Sequence, residues 1–307
     1  MDADFARFFG KRGRKLCAPK TMVRQKGKEL LRIHRACTAA PDEFSRETQE
    51  FLLRHVPGLV DAEVERRPKR MTVTKFVERF ALSGRLAQIR TTFVATTALR
   101  YEATADMRAF LAACAASKIS ARRQGRFVDF VCRHLLQEAG WLARWSDQHL
   151  GQRDAADKVL VACLHDVTVP GRSTEEVLDA LYTLSQLRSK SLRRAKCPSA
   201  LKRTLPLKAL RQLLAPYCQD RQVHVDVGLS GFGLQGRCDV LAFPGLLELK
   251  CHGQAAEPLP EDIAQVLLYA ALHGEVSAVV CVNLYHGCTY EAQLLAGFHE
   301  AMRSWLA

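Results

Sequence analysis

Along the first two-thirds of the chain, apolar residues recur at three- and four-residue spacing, the period of one helix face. This spacing predicts helices over residues 48–56, 73–82, 105–116 and 127–136. Ser173 and Glu176 form a capping-box pair ahead of Val177, Leu178, Leu181 and Leu184, which places another helix start there. No fixed-period repeat or low-complexity tract interrupts the pattern. After about residue 196 it changes. A helix over 201–216 is followed by β-rich runs over 223–229, 234–243 and 246–251, separated by Gly-rich or Pro-Gly turns. Pro260 and Glu261 open a helix running to about His273, residues 276–284 form an apolar β-branched strand, and an amphipathic helix over about 291–305 closes the chain. The expected fold class is therefore α+β, with mixed α/β character. A basic, mainly helical domain over 1–195 precedes a core of order α-β-β-β-α-β over 196–307.

Composition changes this picture in two ways. With 307 residues, 48% of them hydrophobic, the chain is long enough for one large or two ordinary domains, and it is neither collagen-like nor largely disordered. No apolar run approaches the ~20 residues needed to cross a bilayer, so no membrane association is expected. Lys and Arg number 45 against 32 Asp and Glu, a formal charge of +13 that suggests a polyanionic partner or, more simply, a solvated basic surface. The charge is clustered. Between Arg7 and Arg35 the only acidic residue is Glu29, and between Arg188 and Arg203 there is none. Lys11, Arg12, Arg14, Lys15, Arg193, Arg194 and Lys196 are the candidate phosphate-tracking residues, and the same runs read equally as tails or localisation patches. The start MDADFARFFGKRGRK lacks the apolar region of a secretory signal. The 11 cysteines are then expected reduced and mostly buried, in the nucleus ahead of the cytoplasm or mitochondrion.

The chemistry-bearing stretch is GRCDVLAFPGLLELKCHG. Asp239 lies within one strand, and Glu248 and Lys250 lie on the next, after the Pro244-Gly245 turn. Side chains alternate along a strand, so Glu248 and Lys250 share one face while Leu247 and Leu249 point to the other, and strand pairing can bring Asp239 to the first face. Two carboxylates and an ammonium among apolar neighbours are unfavourable unless paired or bound to a cation. One explanation is a hard divalent metal, Mg²⁺ or Mn²⁺, held by Asp239, Glu248 and the carbonyl of Leu249, with Lys250 orienting water or neutralising a phosphate. The plainer one is a Glu-Lys pair at a sheet edge with Asp239 in a turn.

This segment resembles the PD-(D/E)XK nuclease superfamily, especially its RecB-like branch, and ELKC is similar to lambda-type viral alkaline exonucleases. Gly236 and Asp239 match G-x-x-D, Glu248 to Lys250 match E-x-K, and Gln265 with Tyr269 match the Q-x-x-x-Y of the following helix. Gln265 and Tyr269 are four apart and so share a helix face. The resemblance covers about residues 201–284. It implies a metal-dependent deoxyribonuclease with Asp239 and Glu248 on the metal, Lys250 in catalysis, and Gln265 and Tyr269 in active-site support or DNA contact. Relatives often place a further ligand upstream, for which His224 and Asp226 are the candidates.

Competing signals are weaker. GFGLQG, residues 231–236, satisfies G-x-G-x-x-G, but a strand-like CDVLAF rather than a helix follows, which favours a hairpin turn over a dinucleotide site. Cys281, His286 and Cys288 form no C-x-x-C pair or compact triad of the kind that holds zinc or an iron-sulfur cluster. Phe8, Phe9 and Trp141 suit base stacking or ordinary core packing. The expected function is metal-dependent cleavage of DNA (single-stranded, double-stranded or flapped, ahead of RNA), as an exonuclease in repair, recombination, replication or genome processing. The alternative is a non-catalytic nucleic-acid-binding or scaffold protein that retains a nuclease-like core.

Overall fold

The computed structural model describes residues 70–117, 119–136, 158–186, 195–219, 221–251 and 257–307. The expected helix over 48–56 and the basic residues Lys11, Arg12, Arg14, Lys15, Arg193 and Arg194 lie outside these residues, as do Phe8, Phe9 and Trp141. Among the described residues a mixed seven-stranded sheet is combined with ten helices, an α+β architecture. None of these helices is long and apolar enough to cross a membrane.

The elements are β1 (Met71–Thr72), α1 (Val73–Phe80), α2 (Gly84–Phe93), β2 (Val94–Tyr101), α3 (Ala105–Ala116), α4 (Ala121–Leu135), α5 (Lys158–Thr168), α6 (Thr174–Ser185), α7 (Ser199–Thr204), α8 (Leu207–Cys218), β3 (Val223–Gly231), β4 (Leu234–Ala242), β5 (Gly245–Lys250), α9 (Pro260–His273), β6 (Ala278–Asn283), β7 (Cys288–Leu294) and α10 (Phe298–Leu306). The sheet runs β1-β4-β5-β6-β7-β2, with β3 also paired to β4. β3, β4 and β5 form an antiparallel meander, and α9 is the crossover that lets β6 lie parallel to β5. β1 is short and parallel to β4, pairing at Leu234 and Gln235 beyond the stretch that β5 uses.

Strand alternation divides the apolar residues into two cores. Leu247, Leu249, Val280 and Val282 face a layer built from α3 to α8, with Phe110, Phe127, Leu181, Leu201 and Leu210 buried in it. Leu246, Val279, Cys281 and Tyr290 face α1, α2, α9 and α10, where Phe76, Leu267, Phe298 and Trp305 pack. Both the sheet and these cores draw on residues from either side of residue 195. None of the nine described cysteines is in a disulfide, and seven of them are buried, as small apolar side chains would be.

The α6 start has the expected capping box: Ser173 Oγ accepts from the Glu176 N–H, and the Glu176 carboxylate accepts from the Ser173 N–H at 2.9 Å. The GFGLQG segment is a two-residue hairpin turn between β3 and β4, with Phe232 at φ 50° and Gly233 at φ 72°, as a primed turn requires. Three expectations need correction. The helix over 201–216 is two helices, because Pro206 has no N–H to continue the ladder and disfavours helical backbone at Leu205. Residues 94–101 form an edge strand within the stretch expected to be helical, and most of their side chains are exposed, so they carry no alternating apolar signal. The closing helix begins at Phe298 rather than near Glu291. Residues 288–294 instead form β7, lying between β6 and β2 and largely buried on both faces.

Candidate functional site

β4 and β5 pair only at Val240–Leu247, Leu241–Leu246 and Ala242–Gly245, after which the two strands part. Asp239 and Glu248 are the first residues past the last pair. The Leu249 N–H donates to Asp239 Oδ2 at 2.8 Å, so the carboxylate takes the place of a strand partner where the ladder ends. A second feature shapes the opening. Asp226 on β3 has φ 58°, a left-handed conformation that Asp tolerates better than most residues. Val225 lies in the core under α3 to α8, whereas Val227 packs against the opposite core, so the β3–β4 ribbon changes face at this point. The carboxylates of Asp226 and Asp239 stand at that crossing.

Glu248, Lys250, Gln265 and Tyr269 form one connected chain. Lys250 Nζ donates to Glu248 Oε1 at 2.8 Å and to Gln265 Oε1 at 2.7 Å. Because the Lys250 ammonium can only donate, the Gln265 amide turns its oxygen to the lysine, and its Nε2 donates to Tyr269 Oη at 3.1 Å. The Asp262 carboxylate on the first turn of α9 lies 3.8 Å from Lys250 Nζ and accepts from the Leu259 N–H. Gly236 makes this packing possible. A Cβ there would lie 2.6 Å from Tyr269 Cε1 and 3.0 Å from Val73 Cγ2, so only glycine lets β4 approach α9 and α1 this closely. Glu248 and Lys250 thus share a face, opposite Leu247 and Leu249, as strand alternation predicts.

Burial sets the electrostatics. Glu248 is 3% exposed and its Oε2 is buried with no hydrogen-bond partner. Desolvation, reinforced by the Asp239 charge, pushes its pKa up to about 8 against the pull of Lys250. Burial alone would pull the Lys250 ammonium down, but Glu248, Asp262 and Asp239 outweigh it and hold the pKa above its ordinary value. Burial and the nearby Glu248 charge also raise the Tyr269 phenol.

An arginine absent from the sequence-based expectation completes the cluster. Arg133, buried on α4, donates Nε to Asp129 Oδ1 at 2.9 Å and Nη2 to Asp239 Oδ1 at 2.7 Å, and its Nη1 pairs with Asp226 Oδ1 at 2.9 Å. Burial, relieved by Arg133 but reinforced by Asp239, raises Asp129 to about 6. Arg237, more exposed, reaches Asp226 at 3.4 Å. Asp129 and Arg133 form an i,i+4 pair on an otherwise ordinary amphipathic helix, and that spacing was the one signal in the sequence that pointed to it.

Of the expected site residues, Asp239, Glu248, Leu249, Lys250, Gln265 and Tyr269 are brought together. Asp226 joins them through Arg133, whereas His224, two residues earlier on β3, makes no hydrogen bond or ion pair with the cluster. Lys196 is exposed just ahead of α7. Among the described residues, no three or more His, Cys, Asp or Glu side chains are arranged as a ready metal cage, because Asp129, Asp226 and Asp239 are drawn onto Arg133. The oxygen left open for a hard cation is Glu248 Oε2, which is buried with no donor to satisfy it. No protein-family model, curated protein or solved structure matches the chain.

Proposed function

We propose that the protein is a metal-dependent nuclease that hydrolyses phosphodiester bonds in DNA, acting as an exonuclease in DNA repair, recombination, replication or genome processing. The observation that carries this reading is the buried, unpaired Glu248 Oε2 in the same cluster as Asp239 and Lys250. A carboxylate oxygen without a donor costs free energy that an oxygen-seeking cation recovers. Asp239, Glu248 and the Leu249 carbonyl would hold Mg²⁺ or Mn²⁺. Such a cation would offset charge developing on the phosphate and lower the pKa of the attacking water.

The chain's own residues divide the remaining work. Lys250 is kept protonated by its carboxylate neighbours, and its third N–H, with the Asp262 carboxylate at 3.8 Å beyond hydrogen-bond reach, can orient water or offset charge on a phosphate oxygen. Gln265 holds the ammonium from the α9 side, and Tyr269 anchors the amide by accepting from its nitrogen. Preorganisation of this kind stabilises charge that develops during reaction without any reorientation at that moment.

A second reading has one observation in its favour: both oxygens of Asp239 already have protein partners, Arg133 and the Leu249 N–H. A core locked in that state is a non-catalytic nucleic-acid-binding module. Cleavage of end-labelled single-stranded, double-stranded and flapped DNA, with Mg²⁺, Mn²⁺ or EDTA, separates the two. The nuclease reading expects metal-dependent products from the wild type, a loss of at least about 10²-fold in Lys250→Ala, and a smaller loss in Gln265→Ala. Salt-sensitive DNA binding without cleavage under any of these conditions would leave the binding-module reading in possession.

A further inference from the structure

We propose that Arg133 is a tethered counter-ion that occupies Asp239 until a divalent cation takes its place. This inference rests on the metal-dependent reading above and adds a residue, and a competition, that no motif in the chain announces.

The guanidinium geometry suits exchange. Each of its three nitrogens serves a different carboxylate: Nε meets Asp129, Nη1 meets Asp226 and Nη2 meets Asp239, at 2.9, 2.9 and 2.7 Å. Releasing the third carboxylate leaves the other two in place, so Arg133 remains neutralised and anchored when Asp239 is given up. Asp239 is equally prepared. Its Oδ2 stays pinned by the Leu249 N–H at 2.8 Å, and the exchange frees only Oδ1. The carboxylate therefore keeps its position whichever cation it faces.

Charge favours the same conclusion. Asp129, Asp226, Asp239 and Glu248 have side-chain exposures of 23, 13, 13 and 4%, and the cations that meet them are Arg133, buried, and Lys250, half-buried, with Arg237 at the solvent edge. The carboxylates that stay ionised there, Asp226 and Asp239 foremost, call for a counter-charge. An arginine supplies one that cannot be lost to deprotonation, whereas a buried lysine or histidine can shed its proton. Because Arg133 is attached to α4, its local concentration at Asp239 is high and independent of solution conditions, and a free cation must compete with it. The sign of the effect follows: removing the guanidinium should tighten cation binding, not weaken it.

The test is Mn²⁺ binding to the full chain, followed by calorimetry and by the electron paramagnetic resonance of free Mn²⁺, with DNA absent. Wild type, Arg133→Gln, Arg133→Lys and Glu248→Gln are compared. Arg133→Gln should bind Mn²⁺ at least about tenfold more tightly than wild type, the scale of one charge-assisted hydrogen bond. Its thermal midpoint should also rise more on Mn²⁺ addition, since three carboxylates are left without their shared cation. Arg133→Lys keeps one positive charge but cannot serve three carboxylates at once. It should fold like wild type and bind Mn²⁺ with intermediate affinity. Equal or weaker Mn²⁺ binding in both arginine variants, with wild-type binding that Glu248→Gln abolishes, overturns the counter-ion role while leaving the metal-dependent reading standing. Absence of Mn²⁺ binding in wild type and both arginine variants overturns the two together.

Discussion

Glu248 has one carboxylate oxygen on Lys250 and the other enclosed without a donor, and burial followed by the Asp239 charge pushes its pKa up from 4.5 to about 8. Asp129, half-buried beside Arg133, moves in the same direction, from 3.8 to about 6. In each case the folded chain holds the proton more tightly than the unfolded chain does. Their contribution to stability is therefore fully present below the ordinary carboxylate range and is lost as pH rises, through about 6 for Asp129 and about 8 for Glu248. In cation-free buffer, the thermal midpoint of the wild type should fall between pH 5 and pH 8 more steeply than that of the Glu248→Gln/Asp129→Asn double variant, whose amides mimic the protonated carboxyls. Circular dichroism melts across this range, with EDTA present, measure the difference. Parallel curves would show that these two groups keep ordinary proton affinities.

At the scale of elements, the site depends on how closely β4 approaches α9, and Gly236 sets that distance. Replacing it with alanine puts a methyl group 2.6 Å from the Tyr269 ring, inside a helix face that is otherwise closely packed. Gly236→Ala is expected to cost about 1–3 kcal/mol in urea unfolding, the usual range for overpacking. Cleavage should fall as well, since a displaced Tyr269 no longer fixes Gln265. A Gly236→Ala/Tyr269→Leu pair should recover part of the stability but not the activity, because the clash is relieved while the hydroxyl is gone. Additive costs would place the strain elsewhere. The same elements show how far the sequence could be read. β3, β4, β5, α9 and β6 announce themselves by β-branched runs, a Pro-Glu helix start and turn glycines, and Glu248, Lys250, Gln265 and Tyr269 then follow from side-chain periodicity. β2 and β7 give no such signal, for opposite reasons: one is an exposed edge without alternation, the other is buried on both faces and reads as part of the helix after it. Arg133 lies 106 residues before Asp239 in sequence, and a pairing of that range leaves no local trace beyond an i,i+4 pair with Asp129.

Across the whole molecule, the sign of the charge changes between the site and the chain. The protein carries a formal +13, yet the candidate site gathers carboxylates around Arg133 and Lys250, a surrounding that by itself repels a phosphodiester. On the proposed nuclease reading, affinity for DNA comes from basic residues outside the cluster, and the acid-poor runs over 7–35 and 188–203 are the sequence features that can supply it. Binding and cleavage should consequently separate. Glu248→Gln is expected to retain DNA affinity while losing cleavage. A variant with serine at Lys11, Arg12, Arg14 and Lys15 should bind more weakly at every sequence tested. The slope of its affinity against salt, on logarithmic axes, should be shallower than the wild-type slope by about 0.9 for each phosphate that the variant leaves unneutralised. Fluorescence anisotropy on a labelled duplex and a labelled single strand, titrated from low to moderate salt, reads both quantities. An unchanged slope in the serine variant would assign phosphate binding to the second basic run. If Glu248→Gln lost affinity in step with cleavage, the carboxylate cluster itself would have to be part of the binding surface, which its charge permits only when a cation is already seated there.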